Sequence, residues 1–175
     1  MVSLRSEKTS DRILALILIG LGVCFRIAPH PDNFTPTMSI ALFSGVILPP
    51  PMALTVPLLV MMASDLVIGL HSLYWLVWGS FLLVVWIGIA LGKRPDFGRV
   101  LIGALAGSVL FFVLTNLGVF LFDRMYPKSW AGLVECFTMA IPFFRNTLSG
   151  DLFYTFSFFG LFAAAQWMRQ PKKIS

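Results

Sequence analysis

Apolar residues run along the chain in six blocks, set apart by short stretches that hold most of its charge, proline and turn glycine. The blocks cover residues 12–28, 37–48, 52–70, 73–92, 99–122 and 148–168. Residues 73–92 and 100–122 contain no charged side chain, and each is long enough to cross a bilayer core, which takes about 20 residues. Residues 37–48 are too few to cross unaided, so that segment needs shelter from neighbouring helices or a local dip in the bilayer. Pro49-Pro50-Pro51 end it, because proline supplies no amide donor and restricts the residue before it. Between the last two blocks, Trp130, Leu133, Val134, Phe137 and Ile141 recur at helical spacing, after a capping Ser129 and before Pro142. That stretch predicts a short amphipathic helix lying on one face of the bundle. The expected fold is all-α, a single polytopic membrane domain over residues 1–175 with about six transmembrane helices plus this amphipathic helix.

Composition supports hydrocarbon as the solvent. The 175 residues are 58% hydrophobic and only 12% charged, with a mean hydropathy of +0.87. A soluble domain carries about 25% charged residues. The net charge of +5 would suit nucleic acid, but its distribution suits a membrane better. With both termini in the cytoplasm, Arg5, Lys8, Arg12, Lys93, Arg94, Arg99, Arg169, Lys172 and Lys173 fall inside, against Arg26, Arg124, Lys128 and Arg145 outside. This is the positive-inside bias of a multi-pass membrane protein with both termini inside. The lipid bilayer is therefore a partner and nucleic acid is not. Basic residues ahead of 13–25 resemble a signal peptide, but Val23 is too bulky for a cleavage site and Arg26 follows directly, so the segment reads as an uncleaved first helix. Cys24 and Cys136 form no CxxC and no disulfide framework.

In this topology the costly polar residues gather on the outer side. Arg26 and His30 follow the first span, with Asp32, Asn33 and Thr35 just after. Ser64 and Asp65 lie near the outer end of the third span, with His71 beyond it, and Asn116 lies in the last third of the fifth. Arg145 and Asn146 belong to the outer connection, Asp151 opens the sixth span and Tyr154 follows. Asp65 sits roughly 7 Å below its span end at 1.5 Å per residue, where an ionised side chain costs up to about 3 kcal/mol. Arg26 and Arg145 are its candidate partners. Asp151 suits the dipole at a helix start, and Asn116 needs hydrogen-bond partners inside the bundle. Trp75, Trp78, Trp130 and Trp167 fall near the interfaces as belt anchors, with Trp75 also placed to stack on a ligand. Gly88-x-x-x-Gly92 and Gly103-x-x-x-Gly107 suit close helix packing.

Several chemistries find no support. There is no Walker A sequence, GxGxxG, HExxH or GxSxG. His30 and His71 show no metal-ligand spacing, so no metal site and no resident cofactor are expected, and no catalytic residue is assigned. Two other classes remain beside binding: a membrane enzyme with Asp65 or His71 as general base, and a structural or assembly protein whose polar cluster is an internal salt-bridge network.

An ordered series of motifs carries a resemblance. It comprises His30-Pro-Asp-Asn-Phe-Thr-Pro36, Ala41-Leu-Phe-Ser-Gly45, Pro57-Leu, Ser64-Asp65 with Gly69, and Thr115-Asn-Leu-Gly-Val119. It continues through Tyr126-Pro-Lys128, Gly132-Leu, Pro142-Phe-Phe-Arg-Asn146 and Gly150-Asp151. Together they resemble small bacterial inner-membrane transport proteins of the ECF S-component kind, with solitary cobalamin-type S components as more distant relatives. The resemblance implies a six-helix subunit that binds a vitamin-like small molecule near its outer surface for uptake, a corrinoid being one such ligand. Arg26, Asp65, Arg145 and Asp151 would then frame the site, and His30, Asn33, Asn116, Asn146 and Tyr154 would supply hydrogen bonds, with Asp32, His71 and Trp75 nearby. Energising transport subunits are the further partner implied. Gly20-x-x-x-Cys24 stands in the first span where S components often carry Ala-x-x-x-Ala, which puts that docking in doubt.

Overall fold

The computed structural model describes residues 2–169, in the order α1 (Val2–Ile27), α2 (Thr37–Ile47), α3 (Pro50–Ile68), α4 (Tyr74–Leu91), α5 (Phe97–Phe122) and α6 (Trp130–Arg169). Every element among the described residues is a helix. Of these, α3, α4, α5 and α6 are long and apolar enough to cross a bilayer. α2 is apolar but shorter, and α1 carries Asp11, Arg12 and Arg26. The chain is thus a helical membrane protein. Its outward face agrees: Leu66 is 86% exposed, and Leu16, Val67, Ile102 and Leu161 also project from the surface. Apolar cover of that extent belongs in lipid rather than water.

α2 is the axis of the bundle. Every residue from Thr37 to Val46 is buried, and α2 packs against α1, α3, α4, α5 and α6. At about 1.5 Å per residue, its 11 residues are too short to span the hydrocarbon, and the surrounding helices supply the shelter that the sequence demands. Close packing depends on glycine. A Cβ on Gly45 would strike the Val85 carbonyl and come within 3.0 Å of Gly88 Cα, and one on Gly88 would strike the Leu42 carbonyl. On the other flank, Gly107 lies against Met38 and Val84, and Gly103 against Leu91. Gly92 has a different role from the packing one its spacing suggests. With φ of 80° and nothing within 4 Å, it terminates α4, a conformation that glycine adopts without a Cβ penalty.

Three boundaries differ from the sequence pattern. α1 continues N-terminally of residue 12 through a charged stretch. α3 begins at Pro50, because prolines in a first turn lose no internal hydrogen bond and bring a helical φ with them. The largest difference concerns the amphipathic stretch after Ser129. It is helical, and Ser129 Oγ accepts from Gly132 N at 3.2 Å, but it is no separate element. Pro142 lies inside a helix of 40 residues that runs on to Arg169. A proline removes only its own amide donor, and membrane helices tolerate that loss where neighbouring groups take up the freed carbonyl. Arg145, Asn146 and Asp151 therefore sit within α6 rather than in a connection or at a helix start.

Candidate functional site

The α1–α2 connection opens one end of the bundle. Phe34 N donates to the Pro31 carbonyl at 3.0 Å, closing a turn in which Asn33 takes φ of 61°. Asparagine is among the few side chains that accept this left-handed conformation readily. The turn sends the chain straight into α2 and leaves room beneath it. A cavity of about 510 Å³ lies there, and all six helices or their connections line it. Arg26, His30, Asn33, Thr35, His71, Thr147 and Asp151 supply its polar surface, and Met38, Met61, Val77, Phe81 and Phe111 much of its apolar surface.

Asp65 stands behind this lining as the acceptor that fixes Arg26. Arg26 Nη2 donates to Asp65 Oδ1 at 2.6 Å and Arg26 Nε to Ser64 Oγ at 2.7 Å. Trp78 Nε1 donates to the other carboxylate oxygen at 2.9 Å. Both Asp65 oxygens are thereby satisfied, and α1, α3 and α4 are tied together at the cavity rim. Trp78 is thus not a simple interfacial anchor; its indole N–H completes the pair. Arg145 is exposed and forms no ion pair with Asp65, so the second candidate partner stays outside this cluster.

Asp151 occupies a different position from the helix start that its sequence context suggests. It lies well inside α6 and is only 2% exposed. Ser108 Oγ donates to its Oδ2 at 2.8 Å, and Ser39 Oγ donates to its backbone carbonyl at 2.9 Å. Thr155 Oγ1 donates in turn to Ser39 Oγ at 3.0 Å. Four side chains from α2, α5 and α6 thus form one buried polar cluster with its carboxylate at the cavity wall.

The remaining candidates divide by location. His30 is exposed, its two ring nitrogens near the carbonyls of Pro31 and Arg26 at 2.9 and 3.3 Å. His71 is also exposed at the mouth. Asp32 is exposed in the turn. Asn116 lines a smaller neighbouring cavity of about 150 Å³, which it shares with Asn33 and Thr147. Its side-chain amide donates to the Phe112 carbonyl at 2.7 Å, so part of its bonding capacity is spent within α5. Trp75 packs edge-on against Phe122 at 5.5 Å, in a separate surface depression with Ser72 and Arg124. Asn146 is half-buried and lines neither of the two inner cavities. Tyr154 packs against Phe25 and Phe34 at 5.6 and 5.5 Å, which holds the α1–α2 turn against α6.

Sequence reasoning passes over Thr147, which lines the cavity, and over Ser39 and Ser108, which bond to Asp151. Lone hydroxyls in apolar helices usually bond back to their own backbone, as Ser108 also does to Ala104. Their positions gave no other signal. Among the described residues, no three His, Cys, Asp or Glu side chains gather where one metal ion would bind them.

No curated protein and no solved structure matches the chain. One family model does, over residues 6–173, and the chain belongs to that family, described as a family of unknown function, DUF6580.

Proposed function

We propose that this protein is a substrate-binding membrane subunit for uptake of a small, vitamin-like molecule. The observation that carries the reading is the roughly 510 Å³ cavity at one end of the bundle, with a polar rim over a methionine- and phenylalanine-rich floor. That volume falls within the roughly 300–1,000 Å³ usual for small-molecule sites, and mixed apolar walls with a few placed polar groups are their usual make-up. It suits a ligand of one or two rings better than a whole corrinoid. The tie of Arg26 to Asp65, Ser64 and Trp78 holds the rim in shape before a ligand arrives, which reduces the entropy lost on binding.

Two measurements test the proposal. Native mass spectrometry of the purified full chain, offered a panel of vitamins, should show one retained at one-to-one stoichiometry. If the whole panel washes out, uptake loses its support. The positive-inside bias supports a topology with both termini in the cytoplasm and the cavity on the periplasmic side. Reporter fusions at the Lys93–Arg99 turn should accordingly report a cytoplasmic location, and a periplasmic signal there would turn the cavity to the wrong side for uptake. A structural reading draws support from the Arg26–Asp65 pair, but a scaffold has no use for an open cavity lined by a buried carboxylate.

A further inference from the structure

The cavity carries one ionisable carboxyl that no base among the described residues pairs with. Arg26 lines it, but its guanidinium is already bonded to Asp65 and Ser64. Asp151 lines it too, buried to all but 2%. Only its Oδ2 has a side-chain donor, Ser108. Among the described residues the ion pairs are Arg26–Asp65 and Arg99–Asp96, so Asp151 is in no ion pair. Among the described residues, no fully enclosed side-chain oxygen or nitrogen lacks a hydrogen-bond partner. Asp151 Oδ1 is therefore not sealed in protein, and it opens onto the cavity. Two aromatic rings, Phe81 and Phe111, stacked at 5.2 Å with an interplanar angle of 26°, line the same cavity.

We infer that the ligand of this cavity is a small, flat organic cation, with its basic nitrogen held by Asp151 Oδ1 and its ring lying against Phe111. The inference rests on the reading of the cavity as a ligand site and adds the chemical class. A carboxylate in an apolar environment binds a charged N–H donor much more strongly than a neutral one. Aromatic faces add attraction for the same charge. An anionic ligand would meet Asp151 with no free guanidinium to offset it, because Asp65 already occupies Arg26.

Three probes of one ring and similar size separate the charge states: benzamidine, benzamide and benzoate. Equilibrium dialysis against the full chain in lipid nanodiscs should show benzamidine binding at least about tenfold tighter than benzamide, with benzoate weakest. Asp151→Asn keeps the side chain's size and its acceptor for Ser108, and should bring benzamidine to within about twofold of benzamide. Equal or tighter binding of benzamide or benzoate overturns the inference, as does absence of benzamidine binding or a preference that survives Asp151→Asn. If that variant does not fold, the ranking on the unaltered chain decides alone. A neutral or anionic vitamin retained without benzamidine preference would leave uptake standing and remove the cation. A benzamidine preference with no retained vitamin would do the reverse.

Discussion

Asp65→Ala is expected to lower the stability of the bundle by about 3–5 kcal/mol, the usual cost of stripping one partner from a buried ion pair. The side chain of Arg26 is 17% exposed and that of Asp65 only 2%, so the orphaned guanidinium has little water to turn to. Trp78 Nε1 would lose its acceptor as well. Asp65→Asn should cost less, since an amide oxygen still accepts from either Arg26 or Trp78. Replacing both members, Arg26→Met with Asp65→Leu, should recover most of the loss, because burying two charges is itself costly. Denaturation in mixed micelles measures all three. A single-mutant cost below about 1 kcal/mol would mean that water reaches the pair freely, and Arg26 could not then be a fixed wall of the cavity. The double replacement also separates stability from binding: it restores the bundle but removes the rim cation, so any effect on retained ligand is read on a folded protein.

How far the site was legible depended on whether one residue's cost could be judged by itself. An aspartate about 7 Å inside a span demands a partner whatever surrounds it, and Arg26 was among the few bases within reach. Trp78 gave no such demand, since a tryptophan near a span end is explained by the interface alone. The sequence pattern puts Asp151 at a helix start because Pro142 suggests a break before it, and whether a proline breaks a helix or lies within it depends on what packs around it. Once α6 runs unbroken, the helix-start explanation for that carboxylate lapses, and its burial becomes the informative fact. The buried cluster of Ser39, Ser108 and Thr155 joins residues more than forty positions apart, which no local spacing encodes. The apolar blocks, by contrast, predicted the helices well, because lipid leaves backbone amides only internal partners.

Gly88→Ala is the sharpest test of the fold, because α4 contains its own control. At Gly88 a Cβ would collide with the Leu42 carbonyl and sit 3.0 Å from Gly45 Cα. Both obstacles are backbone, so no rotamer change relieves them; α2 and α4 must separate. Overpacking usually costs about 1–3 kcal/mol, and the fixed backbone here puts the expected loss at the top of that range or above. On the same helix, Gly79 has nothing within 4 Å of the added carbon. There the helix preference of alanine over glycine dominates, worth up to about 1 kcal/mol in favour of Gly79→Ala. One substitution, made twice on one helix, should thus act with opposite signs. α2 is buried along its length and carries Met38 into the cavity, so Gly88→Ala should also weaken ligand retention while Gly79→Ala leaves it unchanged. Equal effects of the two on thermal unfolding would mean that α2 does not sit against α4, and the cavity built around the start of α2 would fall with that contact.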